Sequence, residues 1–174
     1  VLNHIAENYK SAFSCEDEDQ QKAVEKRLES FRRMAIGKTI PAFSVPDING
    51  NSVTLQTLRA PYHLILFWSS TCPHCMQMLP ELASLYQGSL RERMDILAVS
   101  LDTERKAWTR ALHGGDYPWH HVSELKGWNA VIANDFHIYA TPTMILTDRQ
   151  GNILAKPITL PELRTELREK GIIE

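Results

Sequence analysis

The sequence predicts an α/β domain on a mixed β-sheet, preceded by a short helical segment. Three observations carry that prediction. A continuous apolar run, His63 to Trp68, reads as a strand buried on both faces, and Met94 to Leu101 reads as a second buried strand. Each is followed by apolar residues at helical spacing. Further on, Thr143 to Thr147 and Ile153 to Lys156 flank Asp148-Arg149-Gln150-Gly151-Asn152, a turn sequence between two strands. Strand, helix, strand, helix, then hairpin and helix is an α/β order with a mixed sheet.

The elements follow in chain order. The first 34 residues hold no Gly or Pro and carry the acidic run Glu16-Asp17-Glu18-Asp19. From Gln20, Val24, Leu28, Phe31 and Ala35 fall at i, i+4, i+7 and i+11, one stripe of a helix. Glu29 and Arg33 add an i,i+4 pair, and the acidic run sits at the positive end of the helix dipole. Residues 1–35 are therefore expected to be a helical extension, or the remnant of a preceding domain, closed by Gly37 and Pro41. Residues 36–174 form the main domain. Within it, Phe43 to Leu55 reads as a hairpin about Asp47-Ile48-Asn49-Gly50-Asn51. Cys75, Leu79, Leu82 and Tyr86 repeat at helical spacing after the first buried strand. Glu104 to Leu112 is a second helix, ended by Gly114-Gly115. Pro161 opens a last helix that runs to Lys170 and stops at Gly171.

Composition excludes several classes. The chain has 174 residues, 43% of them hydrophobic, enough for a core that buries about 70% of the unfolded surface. Nineteen basic against twenty-one acidic residues leave no basic excess, so no nucleic-acid partner is expected. The longest apolar run, Leu64 to Trp68, falls far short of the roughly twenty residues a membrane helix needs. The chain starts at Val1 and shows no signal segment, as expected of a mature product or an excised fragment.

Three cysteines exclude a disulfide framework. Cys72 and Cys75 are spaced C-x-x-C, which means half a zinc site or a redox dithiol. Zinc needs about four ligands, and no second pair exists; His120 and His121 would point apart on a strand. No metal site and no other cofactor are expected. The placement of the pair says more than its spacing. A cysteine at the carboxyl end of a strand that also opens a helix meets unpaired backbone N–H groups, which favour its thiolate. Cys72 is the expected nucleophile and Cys75, one turn further in, the resolving thiol. His74, between them, is the candidate for setting the potential. Cys15, ahead of an acidic run, reads as non-catalytic, since like charge raises its thiol pKa.

At this point the chain resembles a family. Phe67-Trp68-Ser69-Ser70-Thr71-Cys72-Pro73-His74-Cys75 resembles the thioredoxin active site, and Pro80 matches the proline that kinks that family's first helix. Tyr139-Ala140-Thr141-Pro142-Thr143 is similar to its cis-proline loop. Met144 to Ile153 resembles the strand–turn–strand that follows. Ile36-Gly37-Lys38-Thr39-Ile40-Pro41-Ala42-Phe43 and the hairpin after it are typical of the TlpA/ResA-like branch, also grouped with the AhpC/TSA domains. The resemblance covers about residues 36–170. It implies a thioredoxin-like fold: a mixed central sheet flanked by helices, with an N-terminal β-hairpin and here a helical extension.

The resemblance also implies roles. Cys72 attacks, Cys75 resolves, and Pro73 and His74 complete the redox motif. Pro142 is cis, and Thr141 pairs an extended client segment by strand addition. Trp68 packs beside the dithiol as a substrate-side residue. Two positions depart from the pattern: Leu66 stands where classical thioredoxins carry a buried Asp, and Met78 where several relatives carry a glutamate. Pro73-His74 matches the oxidising DsbA proteins.

The expected function is thiol–disulfide oxidoreduction on protein disulfides, in a periplasmic or other extracytoplasmic setting. The chain is expected to be a monomer kept reduced by a membrane-bound electron donor. The alternatives are a disulfide-donating oxidase of the DsbA kind, or a metal-carrying or adaptor module. A peroxidase fits poorly, because Ile65 stands where the peroxidatic motif has proline.

Overall fold

The computed structural model describes residues 18–174, which divide into two units after Ala35. Cys15 and the start of the acidic run lie outside the described residues. The first unit contains helix α1 (Glu18–Arg33), with Arg33 paired to Glu29 at 2.6 Å.

The second unit begins with a hairpin of two very short strands, β1 (Val45–Pro46) and β2 (Ser52–Val53). Its turn is set by Asp47, whose carboxylate accepts from the amides of Asn49 and Asn51 at 2.8 Å and from Asn51 Nδ2 at 3.1 Å. The predicted hairpin is present, but most of Phe43 to Leu55 is loop. The Asp47 carboxylate takes up the Asn49 and Asn51 amides, which leaves them out of the ladder.

The remaining elements are β3 (Tyr62–Trp68), α2 (Pro73–Leu85), α3 (Ser89–Arg93), β4 (Met94–Ser100), α4 (Arg105–Leu112), β5 (His120–Val122), α5 (Val131–Asp135), β6 (Thr143–Asp148), β7 (Ile153–Ala155) and α6 (Leu160–Glu169). The five-stranded sheet has the order β5-β4-β3-β6-β7. β3, β4 and β5 run parallel, while β6 and β7 are antiparallel to their neighbours. The predicted mixed sheet is thus realised, with β3 at its centre. From Leu64 to Trp68 this strand has no exposed surface, as a continuous apolar run requires. Leu64, Leu66 and Trp68 share one buried cluster with Leu79 and Leu82 of α2, Trp108 of α4, and Leu163 and Leu167 of α6. Phe67, of opposite parity, meets Phe136 with ring centroids 5.5 Å apart.

Asp148 repeats the device of Asp47, accepting from the amides of Gln150 and Asn152 and from Asn152 Nδ2. Gly151 adopts φ 84° there, a region L-residues avoid. Its ideal Cβ would lie 3.0 Å from Ile40 Cγ1 and Leu55 Cδ2. His63 begins the buried stretch of β3 at the end away from the following helix. Its Nε2 pairs with the Ala60 carbonyl at 3.1 Å, and burial pushes its pKa down against the raising field of Asp95.

Candidate active site at the carboxyl edge of the sheet

β3 ends at Trp68, and the chain turns back at once: the Cys72 amide donates to the Ser69 carbonyl at 3.1 Å. Cys72 is the N-cap of α2, with extended backbone (φ −92°, ψ 107°), and Pro73 follows at the first helical position. Proline has no N–H to leave unsatisfied there, so the sequence starts the helix cleanly. The cap is unusual in being sulfur: the Cys75 amide donates to Cys72 Sγ at 3.2 Å. A group that accepts an orphan helical N–H is stabilised more as an anion than as a neutral thiol. The same sulfur is bonded to Cys75 as a disulfide, with the two Cα atoms 5.2 Å apart.

The two cysteines differ sharply in access. Cys72 is half-buried, with Thr71, Pro73 and His74 exposed around it, whereas Cys75 has no exposed surface. Leu66 and Met78 are buried in the cluster that includes Cys75. The inner cysteine therefore sits in an apolar cluster.

The opposite wall comes from the other side of the sheet. β6 runs antiparallel to β3, and the pairing of Phe67 with Thr143 brings the start of β6 beside the end of β3. The Thr141–Pro142 peptide is cis, and the Thr141 carbonyl oxygen lies 3.6 Å from Cys72 Sγ. Thr143 Oγ1 donates back to the Ala140 carbonyl at 2.8 Å and tightens the loop. Beside it lies a groove of about 300 Å³, whose lining includes Ile138, Tyr139, Pro142, Lys156 and Ile158. Burial pushes the Lys156 ammonium pKa down. Tyr139 and Ile158 are among the most exposed large apolar side chains described.

Of the residues singled out from sequence, Cys72, Pro73, His74, Cys75, Thr141 and Pro142 converge here. Trp68 is different. It has no exposed surface and shares the buried cluster with Cys75, so it is a core residue and offers a client no surface. His120 and His121 lie on β5, two strands from β3. Among the described residues no group of three or more His, Cys, Asp or Glu side chains is arranged to hold a metal. One residue that sequence reasoning misses reaches the dithiol loop: Asp102, just beyond β4, whose carboxylate accepts from the Ser70 amide and hydroxyl. Its signal is a carboxylate placed directly after a buried strand.

Residues 36–156 match the AhpC/TSA family. A thiol-disulfide oxidoreductase ResA of Bacillus cereus is 27% identical over 126 residues, which are 72% of this chain and 71% of that protein. The thioredoxin-like protein YneN of Bacillus subtilis is 27% identical over 120 residues, 67% of this chain and 68% of that one. Among solved structures, the thioredoxin domain of a thiol-disulfide oxidoreductase from Bacteroides vulgatus superposes with a TM-score of 0.71 at 29% identity. The match spans 80% of this chain and 99% of that one. With a helix-capping dithiol facing a proline loop on this sheet, the chain belongs to the AhpC/TSA family, as a thioredoxin-like thiol–disulfide oxidoreductase.

Proposed function

We propose that the chain reduces disulfides of extracytoplasmic protein clients, with Cys72 as the attacking thiol and Cys75 as the resolving one. The observation that carries this is the contrast in access: Cys72 is half-exposed at a helix cap and Cys75 has no exposed surface. In the forward reaction the Cys72 thiolate attacks a client sulfur. The client S–S bond breaks, a mixed disulfide forms, and the second client sulfur leaves as thiolate and takes up a proton. Cys75 then gives up its proton and attacks Cys72 Sγ. The client departs with both electrons, and the Cys72–Cys75 bond closes. A membrane-bound donor of two electrons reopens it. Thr141 and Pro142 present the backbone edge on which an extended client segment is held, and the protein works as a monomer. Residues 1–35 serve as an extension of this domain or are the remnant of a preceding one.

His74 supports a second reading. An exposed imidazole between the two cysteines in sequence stabilises the thiolate and so pulls the couple toward disulfide donation. The reduction potential separates the two, followed by the fluorescence of Trp68 in a graded glutathione buffer. A value near about −270 mV makes the chain a reductant, and one near about −120 mV makes it a disulfide donor. Cys75→Ser is expected to trap a stable mixed disulfide through Cys72. A couple that does not titrate, together with no trapped adduct, would overturn both readings.

A further inference from the structure

Asp102 is 4% exposed, a carboxylate taken out of water. Burying such a group is costly unless donors surround it. Here they do. Oδ1 accepts from Ser70 Oγ at 2.6 Å, from Ser69 Oγ at 3.3 Å and from the Ser70 amide at 3.2 Å. Oδ2 accepts from Ser100 Oγ at 2.6 Å and again from the Ser70 amide at 3.1 Å. Every donor is neutral, and among the described residues no lysine, arginine or histidine pairs with it. The negative charge is solvated but not cancelled.

The placement of these donors matters. Ser69 and Ser70 are the first two residues of the loop that carries Cys72, and Ser69 also holds Thr71 through the Thr71 amide at 3.2 Å. Its carbonyl accepts the Cys72 amide. The Asp102 backbone is itself pinned, its amide donating to Ser100 Oγ at 3.1 Å. Ser123, just past β5, donates to the Ser100 carbonyl at 2.9 Å. The ends of three parallel strands are thus tied together at the root of the dithiol loop.

We propose that Asp102 is the positioning residue of this dithiol. Its carboxylate clamps the loop that aims Cys72, and its uncancelled charge holds the Cys72–Cys75 couple toward the reducing side. This rests on the reading of Cys72 as the attacking thiol. A like charge disfavours the thiolate, hence the reduced form, and a destabilised reduced form makes the couple more reducing. Asp102 thereby opposes His74. Ser70 and Cys72 are two Cα steps of about 3.8 Å apart. A carboxylate about 10 Å from the sulfur, at an effective dielectric near 20, changes the thiolate equilibrium roughly tenfold.

The test uses the full chain and two variants, with folding checked by near-ultraviolet circular dichroism. Asp102→Asn keeps the shape and most of the hydrogen bonds but removes the charge. Its equilibrium constant with glutathione is expected to move about tenfold toward the dithiol, roughly 30 mV less negative. Ser70→Ala keeps the charge but removes the 2.6 Å clamp. It is expected to leave the equilibrium constant within twofold of the parent while slowing reaction with a small aromatic disulfide about fivefold. A parental couple in Asp102→Asn, or a parental rate in Ser70→Ala, overturns the proposal. If the Asn variant does not fold, the rate of Ser70→Ala decides. An unaltered chain with no two-electron couple would instead overturn the reading of the site itself.

Discussion

Replacing Phe136 tests whether the two walls of the site are held independently. Phe136 is 2% exposed. Its ring meets Phe67 of β3 at 5.5 Å and Phe43 at 6.1 Å between centroids. It closes α5, and directly after it the chain enters the loop to Pro142, through His137 at φ 52°. Truncating a buried phenylalanine to alanine costs about 3–5 kcal/mol, the two aromatic pairs included. Leucine keeps most of the volume and costs about 1–1.5 kcal/mol. Against a stability of roughly 5–15 kcal/mol, Phe136→Ala removes a large share without unfolding the protein. In urea, with a slope of about 2 kcal/mol/M, the midpoint falls by about 2 M for Ala and by less than about 1 M for Leu. Phe136 also lines the groove beside Pro142, so exchange with a protein client slows in the Ala variant. The Cys72–Cys75 potential stays where it was, because β3 and α2 hold the dithiol without this ring. A loss of stability below about 1 kcal/mol would refute the packing argument. A shift of the potential as large as the change in exchange rate would refute the independence of the two walls.

Three further outcomes are expected. Burial pushes both His63 and His121 below the ordinary histidine pKa, opposed at His63 by Asp95 and at His121 by its bond to the Tyr117 carbonyl. The unfolded chain therefore binds more protons below a pH of about 6.5, and stability is full above that value and falls as pH drops, by at most about 1.4 kcal/mol per unit for each histidine. Urea midpoints between pH 7.5 and 5 check this, and a midpoint unchanged over that range would contradict it. Gly151→Ala puts a methyl against Ile40 and Leu55 at 3.0 Å in a left-handed turn. A loss of about 1–2 kcal/mol in chemical denaturation is expected, and parental stability would show that the turn relaxes freely. His74→Ala removes an exposed donor at the amino end of α2, so the couple becomes more reducing by roughly 10–20 mV. A change of the opposite sign in the glutathione titration would remove His74 as a setter of the potential.

The readable parts of this fold are those in which a pattern acts locally. β3 and β4 are largely apolar on both faces, and the sequence delimits them to within a residue or two. Cys72 and Pro73 announce a helix start by their own backbone chemistry. β5 is another matter. It pairs only three residues with Leu97–Val99, two of them histidines, so it carries too little periodicity to separate it from loop. The five-residue helices α3 and α5 escape for the same reason. At the site, the sulfurs and the proline loop are legible because their residue types are rare and their spacing is specific. The full burial of Trp68 is not, since an aromatic at a strand end serves equally as core or as surface. Asp102 is hidden because its partners, Ser69 and Ser70, lie over thirty positions away and meet it only once β3 and β4 are paired.

The antiparallel pairing of β6 with β3 also bears on how such a chain can vary. The sulfur and the carbonyl facing it are separated by 69 positions of sequence yet set 3.6 Å apart by one ladder, whose two strands neighbour each other directly. The stretch between them, from the end of α2 to α5, touches this edge at the end of β4, where Asp102 meets Ser70, and is otherwise connected by loops. Its loops, including the exposed Gly114-Gly115, lie outside that ladder. Lengthening such a loop, or cutting the chain there, leaves the reacting pair in register while the rim around it is remade. The reacting pair belongs to two strands and Asp102 reaches it from the end of a third, while loops away from these ends are free to specialise the surface that clients meet.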